Sequence, residues 1–145
     1  MKPLFLPYVE KLDKPNSTWV LVGRDARRRD FGVGAGPTRE VAQARLRDWI
    51  LDSMLAAAAD GQDLSNDLVS VSRGRPAVMF TPLELIPIRL RLLRARHGLS
   101  QAQVADRLGM TQQAYAKLER PGANLQLKTI QQVESALNEE LLQLA

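Results

Sequence analysis

Hydrophobic and polar positions alternate in short runs at the start of the chain. Residues 4–9 and 18–22 are rich in apolar and β-branched side chains, and a Lys-Pro-Asn-Ser turn sequence separates them. A third run, residues 31–35, alternates apolar side chains with glycines. The pattern predicts three strands of a small antiparallel sheet. Residues 68–71 and Ala77–Phe80 are two further strand candidates, of which only one needs to pair.

The period of the pattern then becomes helical. After Thr38, which is suited to cap a helix N-terminus, apolar residues recur at helical spacing until Gly61, a stop signal. We expect one helix to lie across the sheet and to cover one face of it with Trp49, Ile50 and Met54. The positions on the predicted stripe are Ala42, Leu46, Trp49, Ile50, Ser53, Met54 and Ala57.

A second helical segment is predicted to begin at Thr81. Thr81 is a cap candidate, Pro82 suits the first helical position, and Glu84 can complete a capping box. We place a domain boundary here. It divides the chain into a sheet domain at residues 1–80 and a helical domain at residues 81–145.

Glycines and a Pro-Gly pair divide the helical domain into four predicted helices. The first ends at Gly98, the second runs over residues 100–108, and the fourth covers about residues 127–138. A link of only three residues, 109–111, joins the second helix to the third. So short a link forces a sharp crossing and leaves the outer face of the third helix free to enter a DNA groove. The predicted fold class is α+β: a small antiparallel sheet with one packed helix, then an all-α helix-turn-helix domain of four to five helices.

The outer face of the third helix carries the candidate DNA-reading side chains. Gln112 and Gln113 have amides that can pair bidentately with adenine in the major groove, and Lys117 can reach a guanine edge or a phosphate. Side chains and backbone N–H groups at helix N-termini hold phosphate oxygens. The candidate phosphate contacts are Thr111, Ser100, Gln101 and Arg120.

The distribution of charge favours an anionic partner for the same region. The 145 residues carry a formal net charge of +4, and residues 89–120 hold seven basic and two acidic residues, for +5. Residues 1–80 hold 12 basic and 10 acidic residues, so the sheet domain is nearly neutral. The positive segment fits DNA, whereas the neutral domain fits a protein partner better.

The scarcity of cysteine and histidine excludes several kinds of functional site. The chain has no cysteine and a single histidine, which excludes a disulfide framework, a Cys-based zinc site, a thiol nucleophile and a multi-His metal site. No apolar run approaches the roughly 18 residues that span a bilayer, and the first residues lack the features of a signal peptide. We expect a cytoplasmic binding protein with no membrane association, no catalytic residues, no cofactor and no metal.

Three stretches in the helical domain carry a family resemblance. They are Leu-Arg-Ala-Arg-His-Gly-Leu-Ser-Gln at 93–101, Val-Ala-Asp-Arg-Leu-Gly-Met-Thr-Gln-Gln at 104–113 and Tyr-Ala-Lys-Leu-Glu at 115–119. They resemble the Cro/C1 repressor type of helix-turn-helix, also called the XRE family. The resemblance implies that Gln101 contacts a phosphate and that Gln112, Gln113 and Lys117 read bases. It also implies a structural ion pair between Arg94 and Glu119.

The order of elements in the sheet domain carries a second resemblance. Three strands, a long helix and a further strand precede an XRE-type domain, and Phe-Gly-Val-Gly-Ala-Gly-Pro-Thr-Arg-Glu-Val-Ala at 31–42 leads from strand to capped helix. This arrangement is similar to the HicB antitoxins, which have a degenerate, partial RNase H-like domain. The resemblance implies an antitoxin of a type II toxin–antitoxin system. Such a protein neutralises a small mRNA-cleaving, HicA-like toxin and, as a homodimer or tetramer, represses its own operon. The toxin-binding residues are not assigned.

Two alternatives remain from the sequence. One is an ordinary XRE-type repressor whose N-terminal domain oligomerises or binds a ligand. The other is a small metal-dependent nuclease, for which Asp25, Asp30, Asp48 and Asp52 are the carboxylate candidates. Asp48 and Asp52 alternate with arginines and are typical of a solvated helix face, which disfavours the nuclease.

Overall fold

A computed structural model describes residues 3–71, 73–123 and 125–138 of the chain. Four strands form one antiparallel sheet in the order β3-β2-β1-β4, and a short 3-10 helix precedes β4. The sheet followed by helices confirms the predicted α+β fold. The elements are β1 (Leu4–Asp13), β2 (Thr18–Arg24), β3 (Asp30–Gly36), α1 (Arg39–Ala59), the 3-10 helix (Leu64–Asp67), β4 (Ala77–Phe80), α2 (Pro82–Arg96), α3 (Gln101–Leu108), α4 (Gln112–Leu118) and α5 (Leu127–Leu137).

The chain forms two compact units, and the boundary between them is not a single position in the sequence. The sheet unit contains residues 3–54 and 64–80. The helical unit contains residues 55–63, which include the last turn of α1, together with the chain from Thr81 onward. Each unit is built from more than one segment of sequence.

Helix α1 packs directly on the backbone of β3 because that strand presents glycines to it. A Cβ atom on Gly34 would lie 2.2 Å from the carbonyl oxygen of Ala42 and 2.4 Å from the backbone nitrogen of Leu46. Only glycine permits so close an approach of helix and strand. The completely buried side chains of this unit's core include Leu6, Leu21, Leu46, Ile50 and Phe80.

The prediction that Trp49 covers the sheet is wrong. Ile50 and Met54 are buried as expected, but Trp49 is 44% exposed. Its ring reaches the edge strand β3 instead, where it contacts Phe31 edge-to-face with ring centroids 6.1 Å apart. A Cβ atom on Gly32 of β3 would lie 2.6 Å from the Trp49 ring, so the indole lies against this strand at the edge of the sheet.

One of the two later strand candidates pairs along its length. Ala77–Phe80 forms β4 and runs antiparallel to the first residues of β1. In the other candidate, Val69 makes an isolated bridge with Phe5 through N–H to carbonyl bonds of 2.7 and 2.9 Å. The bridge fixes the segment before β4 against β1.

The starts of the helices in the helical unit follow the predicted capping chemistry. Thr81 and Glu84 form a complete capping box at the start of α2, and Ser100 and Gln103 form a second box at the start of α3. Pro87 lies inside α2. The core of this unit contains Ile86 and Leu90 from α2 and Ile130, Val133 and Leu137 from α5.

Candidate nucleic-acid interface

Helices α3 and α4 are joined by a tight turn. Gly109 adopts a left-handed conformation with φ of 66°, and the N–H of Met110 donates to the carbonyl of Ala105 at 3.0 Å. Thr111 then caps α4, since its hydroxyl oxygen accepts from the N–H of Ala114 at 3.1 Å. Val104, Ala105 and Tyr115 form the buried contact between the two helices. Packing therefore uses one face of α4 and leaves the opposite face open.

The open face of α4 carries the predicted base-reading residues. Gln112, Gln113 and Lys117 are all exposed, whereas Ala116 is partly buried. Tyr115, on the inner face of the same helix, is completely buried. The structure thus places the three candidates together on a solvent-facing surface of one helix.

A buried carboxylate lies at the C-terminal end of this helix. Glu119 is completely buried, and Arg94 of α2 donates to its two carboxylate oxygens from Nε at 2.6 Å and from a terminal nitrogen at 3.0 Å. The hydroxyl of Tyr115 donates at 2.7 Å and the amide of Gln101 at 3.1 Å. Arg91 Nε lies 3.7 Å away. Four hydrogen bonds therefore tie α2, α3 and α4 to one side chain.

These contacts determine the ionisation of the cluster. Burial alone raises the pKa of Glu119, but the hydrogen bonds from Arg94, Tyr115 and Gln101 outweigh it and lower the pKa below the ordinary 4.5. The hydrogen bonds to Glu119 raise the pKa of Arg94. Burial, with the neighbouring carboxylate, raises the pKa of Tyr115. Glu119 is accordingly ionised and Tyr115 neutral at pH 7.

The candidate phosphate contacts occupy different environments. Ser100, Thr111 and Arg120 are exposed, and the two hydroxyl oxygens accept capping bonds, which leaves their hydrogens available to donate. Gln101 is partly buried and uses its amide nitrogen to hold Glu119. That nitrogen carries two hydrogens, so one remains for a phosphate oxygen.

The role of Tyr115 was not predicted from the sequence. Helical spacing places Tyr115 on the inner face of the third helix, where its hydroxyl is one of the four donors to Glu119. The available signal is the i,i+4 spacing of Tyr115 and Glu119, which places both side chains on one face of a helix.

Comparison with known proteins adds one finding. Residues 90–144 match the model of a helix-turn-helix family. The helical unit therefore contains a helix-turn-helix. The match supports a DNA-binding regulator, and the helix-turn-helix pair of this domain is α3 and α4. Comparison with curated proteins finds no match.

Across residues 3–71, 73–123 and 125–138, no three or more His, Asp or Glu side chains gather in a way that could hold a metal ion. Of the nuclease candidates, Asp25 is paired with Arg29, and Asp30 with Arg24. In the same ranges no helix has the length and apolar character needed to cross a membrane.

Proposed function

We propose that the protein is a transcriptional repressor that reads operator DNA with helix α4. The observation that carries this proposal is the position of Gln112, Gln113 and Lys117, which are exposed on a helix whose end is held by the buried Glu119. Glutamine amides pair with adenine edges, and lysine reaches guanine or phosphate. Exposed Ser100, Thr111 and Arg120 supply contacts to the backbone on either side.

The repressor acts as a homodimer or tetramer in this proposal. A single recognition helix contacts few base pairs, and two half-sites one helical turn apart supply the remaining specificity. We therefore expect a palindromic operator.

The DNA-binding part is tested by selecting sequences from a random duplex pool with the full-length protein. The enriched sequence should bind about a thousandfold more tightly than a scrambled duplex at physiological salt, which is the lower range for specific regulators. Enrichment of no sequence, with equal affinity for all duplexes, would refute the proposal.

We further propose that the sheet unit binds a small mRNA-cleaving toxin, so that the protein is the antitoxin of its operon. The support is the resemblance described above together with the outer face of the sheet, opposite α1. Val9, Val33 and Met79 are 48%, 50% and 47% exposed there. Apolar side chains exposed together on a sheet face are typical of a protein contact.

The antitoxin proposal is tested by co-expressing the chain with the neighbouring small open reading frame and purifying the two together. The protein should retain its partner, and Val33→Glu should release it by placing a charge on the apolar face. Ala44→Glu makes the same change on the exposed side of α1 and should retain the partner. Failure of the wild-type chain to retain any such product, or release by both variants, would contradict the proposal.

A further inference from the structure

The sheet unit contains a cavity lined by arginines from two distant segments. Its volume is about 340 Å³, and its walls include Arg24 at the end of β2, Arg28 in the loop after it, and Arg73 and Arg75 in the loop before β4. Asp25 is the single acidic residue of the lining. The lining therefore carries four positive charges and one negative charge, for a net +3.

The loop after β2 is held rigidly in place. The Asp25 carboxylate is almost completely buried and accepts bonds from the backbone N–H groups of Arg27 and Arg29, at 2.9 and 2.8 Å, and from Arg29 Nε at 2.8 Å. The N–H of Ala26 donates at 2.9 Å to the carbonyl of Asp67, which ties the loop to the segment before β4. The negative charge of Asp25 is thus compensated inside the loop.

Three of the four lining arginines make no ion pair within the described residues. Arg24 pairs with Asp30, but Arg28, Arg73 and Arg75 are exposed and make no such contact. Arg28 and Arg73 also adopt left-handed backbone conformations, with φ of 62° and 51°. Such conformations are costly for residues other than glycine and concentrate at ligand sites. Two loops therefore hold unpaired guanidinium groups around one cavity at a cost in backbone strain.

The rest of the cavity wall is mostly apolar. It consists of Pro7, Ala26, Val69 and Val71, together with the polar residue Ser70. Pockets for small organic ligands have volumes of about 300 to 1,000 Å³ and combine apolar walls with a few polar groups. The lining has no aromatic side chain, on which the bases of a single-stranded nucleic acid normally stack. A small molecule with both an anionic and an apolar part fits this combination.

We propose that this arginine pocket binds a nucleoside phosphate. Guanidinium groups match phosphate oxygens bidentately, so Arg28, Arg73 and Arg75 hold the phosphates. The base lies against Val69 and Pro7. This binding is independent of the DNA-reading surface on α4 and gives the sheet unit a small-molecule ligand in addition to any protein partner.

The proposal is tested by isothermal titration calorimetry of the full-length protein without DNA. The probes are AMP, ADP, GMP and GDP, together with adenosine, guanosine, inorganic phosphate and a short single-stranded RNA. Arg28→Asn and Arg73→Asn remove pocket charges with a residue that tolerates the left-handed conformation. Arg27→Asn is the matched control, since Arg27 is exposed in the same loop but does not line the cavity.

At least one nucleotide should bind to the wild-type protein, and the nucleosides and inorganic phosphate should bind much more weakly. Each pocket variant should weaken nucleotide binding about tenfold or more. Arg27→Asn should leave the affinity within about twofold, as expected for a residue that makes no contact with the ligand. Absence of nucleotide binding to the wild-type protein, an equal loss in Arg27→Asn, or binding of the RNA alone would overturn the proposal.

Discussion

Replacing Glu119 by Gln removes the charge on which three helices converge, without changing the size of the side chain. Four donor hydrogens, two from Arg94 and one each from Tyr115 and Gln101, point at the two carboxylate oxygens. A glutamine keeps one of these oxygens and turns an NH₂ group toward donors. Arg94 is then left without its counter-ion.

The size of the effect follows from burial. Removing one partner of a buried ion pair costs about 3 to 5 kcal/mol because the other charge stays desolvated. Glu119 is fully buried, but the Arg94 side chain is 19% exposed and retains some contact with water. We therefore expect the free energy of unfolding to fall by about 3 kcal/mol, the lower end of that range.

The assay is urea unfolding followed by circular dichroism at 222 nm, since the helical unit contains α2–α5. Both tryptophans, Trp19 and Trp49, lie in the sheet unit, so their fluorescence follows that unit separately. Asp106→Asn makes the same acid-to-amide change at an exposed position of α3 and should change stability by less than about 0.5 kcal/mol. A loss of under about 1 kcal/mol for Glu119→Gln, or the same loss in the control, would refute the role assigned to the cluster.

Three further predictions concern the same contacts and the packing of the sheet unit. Because the pKa of Glu119 is lowered by folding, its stabilisation is fully present above about pH 4.5 and is lost as pH falls through the lower folded pKa. The difference in unfolding free energy between wild type and Glu119→Gln should thus be constant from pH 7 to pH 5 and shrink below pH 4.5. A difference that stays constant to pH 2 would contradict the claim that the Glu119 carboxylate is ionised in the folded protein. Tyr115→Phe removes one bond to a charged acceptor and should cost about 1.5 to 3 kcal/mol in the urea experiment, whereas no loss would show that the hydroxyl contributes nothing. Gly34→Ala forces backbone atoms of α1 away from β3 and should cost about 1 to 3 kcal/mol by tryptophan fluorescence, while Gly74→Ala, which meets no atom within 4 Å and adds only backbone strain, should cost less.

The helices of the helical unit are predictable from the sequence because the residues that start and end each helix act locally. Caps at Thr81, Ser100 and Thr111 each act within one turn, and the αL glycine Gly109 ends α3 where the pattern predicts. The exposed face of α4 follows from helical periodicity alone. The residues on this exposed face are therefore predictable without tertiary information.

The features that were missed depend on contacts between segments far apart in the chain. Trp49 lies at the edge of the sheet against Gly32, and alternation along β3 does not show that the glycine face is the buried one. The arginine pocket joins Arg28 to Arg73 through the fold of two loops. The amide of Gln101 bonds to Glu119, 18 positions away, which spacing does not indicate. Side-chain periodicity describes one element at a time and does not identify its partner.

Recognition of DNA by α4 is tested most directly with a variant that carries Gln112→Ala and Gln113→Ala together. Both side chains are exposed and make no core contact, so the fold should be preserved. The matched control is Gln131→Ala with Gln132→Ala, which removes a glutamine pair that is also exposed, from α5. Binding to the selected operator is measured by fluorescence anisotropy at several salt concentrations.

Each lost glutamine–adenine pair costs about 1 to 3 kcal/mol, so the α4 variant should lose about 2 to 6 kcal/mol of operator binding. Its binding to scrambled DNA and the salt dependence of that binding should remain, because the basic residues are unchanged. The α5 control should bind the operator as the wild type does. Unchanged operator affinity in the α4 variant, or an equal loss in the control, would contradict recognition by this helix.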